Sequence, residues 1–331
     1  MLDELKTLPK TATNGALVEE LEQTFDVSDA AATLVIIANV NGPVTLTAWD
    51  KPAVYIHALK RARSQYAFDR TRVELRQEGN QISAITHVDE TSSLVGILDL
   101  LLHGDSAHVE YTVRAPASCA VQAKTVNGPI AVTGLRHRLE ANSVNGPVLM
   151  KDVDAIIDAQ TVNGALRAES IAGEARLSAV HGSLELRNAR LKKLDAHSVN
   201  GSLRASLTLA PDGSYAFDTT NGNCELTIPR DSRCTVAMRA VNGGVQCDLP
   251  HDVRASETWP TLRRWEAAIN GGGAELQFKT VNGRLRIAGA DGTESVQIES
   301  PHAAEGESRT MEILRAVERG ELSVDDALKQ L

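Results

Sequence analysis

Between residues 121 and 247, short runs of alternating apolar and polar residues recur at a nearly constant interval. Asn-Gly pairs mark that interval, at Asn127-Gly128, Asn145-Gly146, Asn163-Gly164, Asn200-Gly201, Asn221-Gly222 and Asn242-Gly243. His181-Gly182 falls in the same register, and Asn282-Gly283 lies beyond. Successive steps are 18, 18, 18, 19, 21 and 21 residues, and the last step, of 40, is about two periods. Valine precedes the pair in every unit except at Thr220. Three and five positions after the Asn the residues are apolar, as in Ile130/Val132, Val148/Met150, Leu166/Ala168, Leu184/Leu186 and Leu203/Ala205. Six and four positions before it the same holds, as in Leu139/Ala141, Ile157/Ala159 and Leu194/Ala196. Alternation of period two predicts short strands with one buried face. Each unit then holds two strands that meet at a Val-Asn-Gly corner, with a third side of variable length.

Two strands and a corner at fixed length, repeated, predict an all-β fold, a parallel β-solenoid whose coils stack about 4.8 Å apart. Equivalent residues of neighbouring coils should then form ladders. The outward position four after the Asn reads Arg167, Glu185, Arg204, Glu225, and the one six after reads Lys151, Glu169, Arg187. Opposite charges alternate from coil to coil, as contacts on a stacked surface should. At the corners, Gly and often Asn are expected to take positive φ, while stacked Asn amides hydrogen-bond along the ladder.

The flanks break the period. Residues 1–115 predict a β-rich cap that protects the first coil from edge-to-edge association. Within it, residues 38–46 form a matching but isolated unit (Ala-Asn-Val-Asn-Gly-Pro-Val-Thr-Leu), and 92–104 make an apolar excursion. The solenoid is assigned to 116–298, with 256–269 as an insertion thrown out from one coil. Residues 299–308 are a linker. Residues 309–331 predict a small C-terminal α-hairpin, with Met311, Leu314 and Val317 at helical spacing, Gly320 as a stop and Ser323 as the next N-cap.

Composition narrows the function. The chain has 331 residues, 42% apolar but only 3% aromatic, so its core must be aliphatic. A net charge of −9 argues against nucleic acid or an anionic membrane as the main partner. Cys119, Cys224, Cys234 and Cys247 include no CxxC pair, which suits a reduced interior. The amino terminus has no signal-peptide pattern, and the most apolar window, Leu94 to Leu102, is too short to span a bilayer. These features place the protein in the cytoplasm as an expectation.

Chemistry-bearing motifs are scarce. The Asn-Gly column reads as structural corners, and His181 as a tolerated substitution in that column rather than a metal ligand. Cys224 and Cys247 fall on inward columns as small apolar residues, leaving no converging set for a metal and no cofactor. Outer columns that alternate in sign lack the paired carboxylates of a glycosidase, and no nucleophile elbow or phosphate loop is present. The basic run Lys60, Arg61, Arg63, Arg70, Arg72 reads as a solvated face. Leu98 and Leu101 in the apolar excursion, Trp259 and Trp265 in the insertion, and Met311 and Leu314 in the tail are the candidate interaction residues, the excursion and the insertion reading equally as buried plugs.

The unit ending V-N-G-x-V-x-L-x-x-W-D within 25–50, the T/S-V-N-G repeats, and a tail reading I-L-x-x-V-E-x-G-x-L-S-x-D-D-A-L-x-x-L together resemble the bacterial Toastrack β-solenoid family, whose members carry an adhesin label. The resemblance covers residues 25–298 and 308–331. It implies a non-enzymatic scaffold for protein interaction or assembly, tied to envelope stress or the cell surface, with a protein partner or self-association. A carbohydrate-active β-helix enzyme and a self-polymerising filament are the competing readings.

Overall fold

The computed structural model describes residues 6–13, 16–88, 106–259 and 262–290. Among them are 25 strands, all joined by hydrogen bonds, and one short helix, Gln65–Arg70. Leu98, Leu101, Met311, Leu314 and the expected α-hairpin lie outside the described residues.

Each regular coil has two strands and two corners. One face stacks Ala120–Asn127, Arg138–Asn145, Asp154–Asn163 and Ala172–His181 in parallel, with Asn127, Asn145, Asn163 and His181 in register. The other face stacks Ile130–Thr133, Val148–Lys151 and Leu166–Glu169, also in parallel, and continues onto Leu184. The strand Leu184–Asn200 runs round from one face to the other, so it belongs to both. The inward columns Leu166, Leu184, Leu203 and Ile157, Leu194 are buried and form one continuous core between the faces. Alanine at 123, 141, 159 and 196 keeps that core thin.

A further buried column runs along the corner opposite Val-Asn-Gly, through Leu135, Val153, Ile171 and Ala189. There the chain turns through left-handed residues 18 apart, Gly134 (φ 84°), Asp152 (φ 52°), Ser170 (φ 55°) and Asn188 (φ 53°). The expectation of positive φ at Val-Asn-Gly is therefore corrected for Gly128 through Gly283. Among the corner glycines only Gly42 has it, at 127°.

The ends of the stack are out of chain order. Leu34–Asn41 and Val44–Trp49 pair in parallel with Ala120–Asn127 and Ile130–Thr133, placing Asn41 in register with Asn127. The unit expected to be isolated is thus a coil of the solenoid, and parallel stacking reaches back across residue 115. Its other neighbours are Gln81–Val88 and His108–Pro116, again parallel, so the first coil in sequence is the second in space. The far end mirrors this. Ala274–Asn282 pairs with Ser214–Asn221 on one side and Cys234–Asn242 on the other, so the last coil in sequence is inserted before the one that precedes it.

Antiparallel strands then close both faces at the first end and one face at the far end, where the other face ends on Val245–Cys247. Thr71–Glu78 covers Gln81–Val88, while Ala53–Ala62, Ala16–Asp26 and Lys6–Thr13 follow His108–Pro116. At the far end Leu262–Ile269 covers Cys234–Asn242, and His251–Trp259 covers it in turn. The segment expected as an outward insertion is therefore a closing hairpin of the sheet.

Candidate functional site

The Val-Asn-Gly edge is built by close approach. A Cβ added at Gly164 would stand 2.2 Å from the Gly146 carbonyl oxygen, and at Gly146 it would stand 2.1 Å from that of Gly128. Glycine is required because successive coils touch backbone to backbone at this corner. Two residues before the Asn, a buried hydroxyl caps the crowded carbonyls: Ser143 Oγ donates to Gly128 O at 3.0 Å and Thr161 Oγ1 to Gly146 O at 2.9 Å. Outside that layer runs an amide ladder. Asn163 Nδ2 donates to Asn145 Oδ1 and Asn145 Nδ2 to Asn127 Oδ1, both at 2.8 Å. Beyond His181 a second run joins Asn242 to Asn282, Asn282 to Asn221 and Asn221 to Asn200 at 2.9–3.0 Å. The valine beside each Asn points outward. Val144, Val162, Val199, Val241 and Val281 are 39–42% exposed, forming an apolar row next to the polar ladder that the less exposed Val180 and the polar Thr220 interrupt.

Outward charges pair across coils in one of the two expected columns, while Lys151, Glu169 and Arg187 in the other make no ion pair with one another among the described residues. Arg167 meets Glu185 at 3.5 Å, Arg204 meets Glu225 at 3.0 Å and Lys124 meets Glu140 at 3.1 Å, in neighbouring coils. Glu185 also holds Arg187 at 2.6 Å. Such exposed pairs contribute about 0–1 kcal/mol each and serve register more than stability. His197 sits between Asp195 at 2.7 Å and Asp218 at 3.4 Å. His57 contacts Glu20 at 2.6 Å and Glu22 at 4.0 Å on the outer side of the N-terminal antiparallel strands.

Sequence reasoning misplaced Lys60. It is buried rather than solvated, 2.9 Å from Glu19 and with its ammonium 3.9 Å over the Phe68 ring. The helix Gln65–Arg70 folds onto the end of the sheet and supplies that ring, an arrangement that a run of basic residues does not reveal. Trp265 is half-buried against the core, with His251 edge-on at 5.7 Å, so it packs the closing hairpin. Trp259 ends the edge strand, paired through its backbone with Leu262. Cys119, Cys224 and Cys234 are buried and unpaired. Burial raises all three thiols, Cys119 to about 11 and Cys234 to about 12, so they are packing groups with no thiolate at neutral pH.

At the far end the Val-Asn-Gly edge opens into a cleft of about 660 Å³ lined by Asn223, Asn242, Gly244, Arg263, Asn282 and Arg284, among others. No sequence signal pointed to it, because its walls come from residues adjacent only through the inserted coil.

A parallel stack of Val-Asn-Gly coils with antiparallel closures defines the class. Residues 34–288 match the family described as Toastrack DUF4097, and the chain belongs to that family. No curated protein matches it. Solved structures aligned with it include a "putative adhesin" from Bacteroides fragilis, at 12% identity over 81% of this chain and 96% of that one, with a TM-score of 0.46. A "putative cell adhesion protein" from Clostridium sporogenes aligns at 8% identity over 81% and 99%, with a TM-score of 0.26. A "putative lipid binding protein" from Parabacteroides distasonis aligns at 12% identity over 82% and 95%, with a TM-score of 0.29. No helix among the described residues is long and apolar enough to cross a membrane.

Proposed function

We propose that the chain is a non-enzymatic scaffold that presents a rigid edge to a protein partner, in the envelope-stress or cell-surface setting that its family resemblance implies. One observation carries this reading: the row of exposed valines beside the hydrogen-bonded Asn ladder. Ordinary surfaces scatter their apolar residues, whereas valines aligned along one edge offer a shared contact surface. Repetition at the coil spacing, about 4.8 Å, suits a partner that runs along the stack. The four free cysteines, three of them buried, support a reducing compartment and thus the cytoplasm.

The ends of the stack speak against the filament reading. Thr71–Glu78 presents Arg72, Glu74, Arg76 and Glu78, while His251–Trp259 carries Asp252, Arg254 and Glu257 and a bulge near Arg254. Charges and bulges on an edge strand discourage further pairing. The enzyme reading is disfavoured because Glu140, Glu185, Asp195 and Glu225 each face a Lys, Arg or His.

The test is cross-linked capture from a bacterial extract by the full chain and by a Val162→Lys/Val199→Lys variant. Loss of the captured protein with an unchanged melting temperature is expected. Equal capture by both would overturn the edge as the contact surface.

A further inference from the structure

The cleft at the far end of the edge has a specific origin in the sequence. Two positions after the corner Asn, other coils carry Pro129, Pro147, Ala165, Ser183, Ser202 and Asn223. The spatially last coil carries Gly244 there, and a Cβ at Gly244 would meet nothing within 4 Å. The inserted coil beside it places Arg284 at the same position, and the closing hairpin sends Arg263 back from the other side. Asn223 accepts from the Arg284 backbone N–H at 3.0 Å, leaving its own amide N–H groups to donate. Arg263 Nη1 donates to Gly243 O at 2.8 Å, which anchors the guanidinium and leaves its other N–H groups free to bind. Asn242 closes the amide ladder by donating to Asn282 at 3.0 Å. Its backbone carbonyl accepts from Gly283 N–H at 3.0 Å, whereas its side-chain Oδ1 receives no donor among the described residues, and the hydrogen bonds behind it polarise that acceptor.

Two guanidiniums and no carboxylate line this cleft, in a chain whose net charge is −9. Its volume of about 660 Å³ lies within the range of small-molecule sites. The lining lacks the aliphatic and aromatic walls that lipids or apolar ligands require. Forked donors match a carboxylate, and amides that both donate and accept match hydroxyl groups. We infer that this cleft binds an acidic saccharide, with Arg263 and Arg284 taking the carboxylate and Asn223 and Asn242 the neighbouring hydroxyls. This cleft lies at the far end of the same edge but no valine lines it, so its failure would leave the edge reading untouched.

Calorimetric titration of the full chain tests it with three probes: a short galacturonic acid oligomer, the same oligomer methyl-esterified, and inorganic phosphate. Binding of the acid oligomer alone is expected. Arg284→Gln should weaken it about tenfold, the loss of one charge-assisted contact. Arg284→Lys should lose less, and Arg138→Gln, which removes the same charge from a distant coil, should change nothing. Melting curves of Arg284→Gln should match the parent, since the Asn223 contact is to backbone. Equal binding of the esterified oligomer, equal competition by phosphate, or an Arg284→Gln variant that binds as the parent does would each overturn the assignment.

Discussion

At the Val-Asn-Gly corner the chain turns without a side chain, and at the opposite corner it turns with one kept in an uncommon backbone conformation. The first is governed by distance between coils: the Gly146 carbonyl oxygen occupies the space that a Gly164 Cβ would need. The second is governed by twist: Asp152, Ser170 and Asn188 sit at φ of 52–55° while their N–H groups, or those beside them, continue the ladder, as in Asp152 to Glu169 O and Ser170 to Arg187 O. Directly after them come Val153, Ile171 and Ala189, all buried. One corner is therefore held by backbone contact and amide bonds, the other by a buried side chain behind a left-handed residue. A glycine column in a stacked protein thus reports close approach as readily as it reports positive φ.

Removing the buried side chain is expected to do the most damage. Ile171→Ala should cost about 2–5 kcal/mol, because the coils on either side are fixed by their ladders and cannot collapse into the space. Chemical denaturation would measure it. A loss under about 1 kcal/mol would mean that the opposite corner contributes little, and that the faces alone hold the coil.

Adding a side chain at the glycine corner should come next. Gly164→Ala should destabilise by about 1–3 kcal/mol, since backbone rather than a movable side chain blocks the site. An unchanged melting curve would refute the close-approach account, because a residue at ordinary φ would otherwise gain from alanine.

The inward columns could be read from the sequence because four successive units start 18 residues apart, so their residues superpose without gaps. The opposite corner was harder to see. Its buried column falls eight residues after the Asn at Leu135, Val153, Ile171 and Ala189, but seven after it at Leu207 and Ile228, where the coils lengthen. Gly, Asp, Ser and Asn at 134, 152, 170 and 188 look like any polar turn. The order of the terminal coils was not legible at all. Asn282 satisfies the same hydrogen bonds whether it follows Asn242 or stands between Asn221 and Asn242, and a residue pattern records register without recording neighbours. The cleft inherits that blindness, since Asn223, Arg284 and Gly244 become adjacent only through the inserted coil.

The smallest effect separates the two corners most cleanly. Ser170 holds a left-handed conformation that costs an L-residue roughly 1–2 kcal/mol, and glycine would remove that cost. Glycine also widens the unfolded ensemble, which costs about 0.5–1 kcal/mol. The two terms offset in part, so Ser170→Gly should leave stability between that of the parent and about 1.5 kcal/mol above it. Ser170→Val moves the other way, because a β-branched side chain fits left-handed backbone poorly, and its melting temperature should fall clearly below that of the serine protein. At Gly164 the ranking differs in kind: there the first added carbon does the harm whatever its branching. If thermal melts showed Ser170→Gly to be as damaging as Gly164→Ala, the serine side chain would have to be holding the corner, and the division between a corner set by approach and a corner set by twist would fail.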